Sequence, residues 1–64
     1  MAKVNGELKD ISGQTIEEYI KTTSYDCKRI AVEVNGNIVP KAMYASFVIN
    51  DEDVIEIVSF VGGG

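Results

Sequence analysis

The sequence predicts an α+β domain in which a mixed sheet carries one main helix on one face. Three observations point there. Two Asn-Gly pairs, Asn5-Gly6 and Asn35-Gly36, each sit between short runs of strand-forming residues. A single segment near Thr15 has both a helix start signal and a helical apolar stripe. A closing apolar run, Val54 to Val61, leads straight into Gly62-Gly63-Gly64.

The first element covers Lys3 to Lys9. Asn5-Gly6 is a strong hairpin signal, because a type I′ turn needs positive φ at both central residues. Two short strands joined there are expected. Thr15 followed by Glu18 then reads as a capping box, in which the Thr hydroxyl accepts a backbone N–H and the Glu reaches back. Ile16, Tyr19 and Ile20 follow at i, i+3 and i+4, one apolar stripe on a short helix. Thr22, Thr23 and Ser24 favour competing backbone hydrogen bonds and end it. Ile30-Ala31-Val32-Glu33-Val34 alternates, with Ile30, Val32 and Val34 on the buried face of a strand. Asn35-Gly36 reverses the chain into Asn37-Ile38-Val39. Pro40 closes that strand or holds it at an edge, since proline cannot donate to a ladder. Lys41 to Asn50 has two readings, an irregular turn or a short helix, in which Met43, Tyr44, Phe47 and Ile49 tuck under the sheet.

In the last strand, Ile55, Ile57 and Val61 share one face, and Val54, Glu56, Val58 and Phe60 share the other. The order is β-β-α-β-β-β, and one helix on a mixed sheet is the β-grasp, or ubiquitin-like, arrangement. By that likeness the last strand lies centrally, beside and parallel to the first. The predicted domain spans 1–61, followed by a flexible glycine tail at 62–64. An all-round apolar strand normally means burial on both faces, but one short helix covers only one. The charges of Glu56 and Glu33 mark the solvent side. Val58 and Phe60 are therefore expected to be exposed beside Glu56, as a partner-docking patch. The plainer alternatives are that residues 41–50 cover them, or that they are scattered surface apolars of the ordinary kind.

Composition narrows the function. A chain of 64 residues is one domain, and one of this size buries only about 60% of its unfolded surface. With 45% apolar and 25% charged residues it is an ordinary globular sequence. No apolar run approaches the roughly 18 residues of a membrane span, and no secretory leader pattern opens the chain, so a cytoplasmic location is expected. The net charge of −4 disfavours nucleic acid and suits a partner with a basic surface. The chain contains no histidine and one cysteine, Cys27, which removes the commonest general base and any internal disulfide. A protein co-substrate, rather than an enzyme, is the reading, with no metal and no bound cofactor.

The glycine tail supplies the chemistry. Glycines lose the most freedom on ordering, so a strand ended for stability alone does not finish in three of them. Three extended residues reach at most about 10 Å, enough to carry the Gly64 carboxylate into a narrow cleft. Gly62 and Gly63 thread that cleft, whose walls can close on a backbone without Cβ atoms. A free carboxylate is a poor acylating agent. Adenylation by ATP on a partner enzyme provides AMP as leaving group, and a sulfur nucleophile then leaves a thiocarboxylate. The partner supplies the phosphate clamps.

Val32-Glu33-Val34-Asn35-Gly36, Ile38-Val39-Pro40, Asp51 and Asp53 around a turn, Ile55-Glu56-Ile57-Val58 and Val61-Gly62-Gly63-Gly64 together resemble the ThiS family, the sulfur carriers of thiamine thiazole synthesis. Val4-Asn5-Gly6 and Gly13-Gln14-Thr15-Ile16 extend the likeness over nearly the whole chain. The resemblance implies that a ThiF-type adenylyltransferase activates Gly64 and that the thiocarboxylate then serves a ThiG-type thiazole synthase. A carrier has to pass from one partner to another, so a monomer when free is expected. Three positions depart from the pattern: Lys41 where arginine is common, Tyr44 where tryptophan is common, and Glu52 where the turn usually has glycine. A Glu forced to positive φ costs on the order of 1 kcal/mol.

Rival readings stay open at this point. A sibling carrier would serve molybdopterin or another sulfur-requiring pathway, and a ubiquitin-like interaction module would have an inert tail. Cys27, beside Lys28 and Arg29, is either a small packed residue or a reactive thiol. Asp51-Glu52-Asp53 lacks the spaced ligands of a calcium loop and reads as a solvated turn. Tyr19, Tyr25 and Tyr44 read as core or rim aromatics, since no basic stripe accompanies them.

Overall fold

The structure is a computed structural model and describes residues 1–60. Strands β1 (Ala2–Val4) and β2 (Glu7–Lys9) form the first hairpin, and helix α1 spans Ile16–Lys21. Strands β3 (Ile30–Val34) and β4 (Asn37–Val39) form the second hairpin, and β5 (Val54–Ser59) closes the sheet. Short 3-10 turns occupy Cys27–Arg29 and Lys41–Met43. The sheet order is β2-β1-β5-β3-β4, with β5 central, parallel to β1 and antiparallel to β3.

Both hairpins form where the Asn-Gly pairs place them. Asn5 and Gly6 have φ of 50° and 85°, and Asn35 and Gly36 have 53° and 85°, the positive values that a tight hairpin turn requires. The helix is short, so its ends decide whether it forms. Thr15 accepts from Glu18 N–H at 3.1 Å, and the Glu18 side chain accepts from Thr15 N–H at 2.8 Å. The Thr22 and Thr23 hydroxyls donate to the carbonyls of Tyr19 and Ile20, both at 2.7 Å, and stop it.

Residues 41–50 combine the two readings, a short 3-10 helix over Lys41–Met43 followed by irregular chain. Tyr44 and Ile49 are buried and Phe47 packs against the core, while Met43 stays exposed. This segment also completes the start of α1. Ile16 N–H donates to Phe47 O at 3.0 Å and Glu17 N–H to Tyr44 O at 2.9 Å, so two free helical donors are satisfied by a segment distant in the chain. One cluster forms the core, with Ile16, Tyr19 and Ile20 of α1 packed with Val32, Val34, Ile55 and Ile57 of the sheet. The last strand stops at Ser59 rather than continuing to Val61. Phe60 still donates its N–H to Arg29 O at 2.9 Å. Val61, and with it the boundary between domain and tail, lies outside the described residues.

Candidate functional site

The site expected from sequence has two parts, the outer face of β5 and the glycine tail. Paired residues share a face of a sheet, so the register builds the outer surface row by row. Leu8, Lys3 and Val54 form one row; Ile38, Glu33 and Glu56 form the next; Ala31 and Val58 follow, with Phe60 in phase beyond them. Glu56 is exposed, and Val58 and Phe60 keep 58% and 41% of their surface accessible. The 41–50 segment therefore does not cover the patch: it packs on the helix side. Gly62, Gly63 and Gly64 lie outside the described residues.

The start and the middle of β5 are held by the asparagines of the two turns. At its start, Asn35 Oδ1 accepts from Val54 N–H at 2.9 Å, and Asn35 N–H donates to Val54 O at 2.7 Å. Asn35 Nδ2 donates to Asp53 at 3.0 Å, and the other Asp53 oxygen accepts from Asn50 N–H at 2.9 Å. Further along, β1 has already turned away, and the Asn5 side chain replaces it. Ile57 N–H donates to Asn5 Oδ1 at 2.8 Å, while Asn5 Nδ2 donates to Ile57 O and to the Tyr25 hydroxyl, both at 3.2 Å. A side-chain amide thus continues the ladder as a peptide bond would. Sequence reading assigned Asn5 and Asn35 to turns alone. The available signal was asparagine itself at a left-handed turn position, where its short polar side chain can hydrogen-bond to nearby backbone.

The acidic turn before β5 is a solvated turn whose carboxylates serve structure. Asp51 accepts from the Met1 ammonium at 2.7 Å and from the Ser12 hydroxyl at 2.5 Å. The Met1 hydrogen bond, then that of Ser12, lowers the Asp51 carboxyl below its ordinary value, and Asp51 in turn raises the Met1 amino group. Glu52 has φ of 69°, so the departure from glycine does fall on a left-handed position. Among the described residues no group of His, Cys, Asp and Glu could hold a metal ion.

Cys27 is half-buried and packs against the core as the first residue of the Cys27–Arg29 turn, capped by Asp26, whose carboxylate accepts from Lys28 N–H at 2.9 Å. Burial of the Tyr44 hydroxyl raises its pKa, with the Cys27 thiol adding to the shift. Arg29 pairs with Asp26 at 3.8 Å. A groove of about 390 Å³ between β4 and the 41–50 segment, lined by Val34, Ile38, Pro40, Met43 and Phe47, opens near the start of β5, away from Phe60. It takes no part in the expected site. Among the described residues no helix is long and apolar enough to cross a membrane.

A five-stranded mixed sheet with one helix across its inner face, and a central last strand leading to a glycine tail, defines a β-grasp domain of the ubiquitin-like kind. The ThiS crystal structure from Geobacter metallireducens, a thiamine biosynthesis protein, superposes with a TM-score of 0.79 at 22% identity, over 98% of this chain and 97% of that one. The model of the ThiS family matches residues 2–64, and the chain belongs to that family. It is 38% identical to the sulfur carrier protein ThiS of Bacillus subtilis across 100% of both chains. It is also 44% identical to a thiazole synthase of Paramagnetospirillum magneticum, over 95% of this chain but only 19% of that protein's length. A second thiazole synthase, from Magnetococcus marinus, is matched over the same 19% share at 34% identity.

Proposed function

We propose that the chain carries sulfur for thiamine thiazole synthesis on the carboxylate of Gly64, as a protein co-substrate with no chemistry of its own. The observation that carries this reading is the family match that runs through Gly62, Gly63 and Gly64, shortly after a strand whose outer face is bare. A ThiF-type adenylyltransferase receives the tail. A Gly64 carboxylate oxygen attacks the α-phosphate of ATP and releases pyrophosphate. A hydrosulfide-level nucleophile then adds to the acyl-adenylate carbonyl and expels AMP, leaving –C(=O)S⁻. Val58, Phe60 and Glu56 meet the partner surface while Gly62 and Gly63 thread its cleft. The thiocarboxylate then delivers sulfur to a ThiG-type thiazole synthase, and the thiazole synthases of which this chain matches a part support that recipient. No metal or resident cofactor is needed on the carrier, and ATP is a substrate of its partner.

Incubation with ATP, the adenylyltransferase and a sulfur source, followed by intact mass measurement, tests this. Replacing one oxygen by sulfur adds about 16 Da, located on Gly64 by fragmentation. A chain amidated at Gly64 gains nothing, and Cys27→Ser gains as much as the parent. An unmodified Gly64 in the presence of an adenylyltransferase that activates another carrier contradicts the reading.

A further inference from the structure

The middle row of the outer face sets two like charges against each other. Glu33 of β3 and Glu56 of β5 are direct cross-strand partners on one face. Like charges in that position destabilise a sheet. Among the described residues neither carboxylate has an ion-pair partner: the pairs formed are Met1–Asp51, Lys9–Glu7, Lys21–Glu17 and Arg29–Asp26. Lys3, on the same face beside Val54, forms none with Glu56. Apart from Lys3, the surface around the two carboxylates is apolar. Ile38, 72% exposed, stands opposite Glu33 on β4, and exposed Val54 and Val58 flank Glu56 along β5.

We propose that this face docks a partner protein through an arginine side chain seated between Glu33 and Glu56, with apolar partner residues on Ile38, Val54 and Val58. The inference rests on the reading above, that the outer face of β5 meets the adenylyltransferase, and names the chemistry of that contact. Charge complementarity commits the occupant: a net charge of −4 and two unneutralised glutamates call for a cation, and the apolar frame calls for one set in an apolar surface. A guanidinium presents five donors in a planar fork and bridges two carboxylates, which a lysine ammonium does less well. The apolar rim excludes water from the contact and strengthens it. The free domain then carries a repulsion that only the partner relieves.

That arrangement gives stability and binding opposite signs. Glu33→Gln and Glu56→Gln, singly, each raise the melting temperature of the free domain by about 2–4 °C. Each also weakens binding to the adenylyltransferase of the same organism, measured by calorimetry, by about tenfold or more. Glu17→Gln on the helix side makes the same charge change as a control and leaves affinity within about twofold. Melting temperatures that do not rise, or affinities that match the parent or the control, overturn the proposal. If Gly64 takes up sulfur normally while both Gln variants bind like the parent, this inference falls alone. If Gly64 takes up none while binding still depends on both glutamates, the sulfur-carrier reading falls alone. A chain that neither binds nor reacts overturns both.

Discussion

The two faces of β5 are built from nearly the same residues and have opposite fates. Ile55 and Ile57 point inward and keep 1% and 6% of their surface accessible; Val54, Val58 and Phe60 point outward and remain between 41% and 58% exposed. Side-chain hydrophobicity therefore does not decide burial here. One six-residue helix and the 41–50 segment cover only the inner layer. Leaving aliphatic side chains in water forfeits roughly 1.5–3 kcal/mol each relative to full burial, a large sacrifice for a 64-residue domain. An exposed apolar strand face is what a carrier needs if it docks on one enzyme and is released to another.

Substitutions on and around β5 break or sharpen that contrast. The largest loss is expected from Ile57→Ala on the inner face, about 2–5 kcal/mol by urea unfolding, enough to leave the domain partly unfolded. Asn5→Gly keeps the positive φ but removes the amide that pairs with Ile57. It should cost about 1–3 kcal/mol and abolish hydrogen-exchange protection at the Ile57 N–H. Phe60→Ser on the outer face should change stability by about 1 kcal/mol or less while lowering affinity for the adenylyltransferase about tenfold. If Phe60→Ser unfolds the domain instead, the residue belongs to the core and the contrast fails. The smallest effect is a gain: Glu52→Gly relieves the left-handed backbone ahead of β5 and should add about 0.5–1 kcal/mol, after the entropy glycine returns to the unfolded chain.

Features set by near neighbours were legible in the residues. Both Asn-Gly turns, the Thr15–Glu18 capping box, the Thr22–Thr23 stop and the alternation of Ile30 to Val34 depend on contacts only a few positions apart, and each appears where its spacing places it. The outer exposure of Val58 and Phe60 followed from counting what one helix covers. Features set by distant partners were not legible. Tyr44 and Phe47 take their backbone from the helix start they complete, a contact no local pattern encodes. Asn5 reaches Ile57 across 52 residues, and Glu33 faces Glu56 only because β5 falls beside β3 in one register. The regular strand also ends at Ser59, with one further bond from Phe60 N–H to Arg29 O, where an unbroken apolar run suggested strand to Val61.

The central claim is that sulfur rides on Gly64 and leaves from it. Loading the chain with a heavy sulfur isotope through the adenylyltransferase, then adding the thiazole synthase and its substrates, follows that atom directly. Fragmentation mass spectrometry is expected to find the label on Gly64 before the reaction, and in the thiazole product after it, with Gly64 returned to a carboxylate. Label that sits on Cys27, or that stays on Gly64 while thiazole forms, would contradict it.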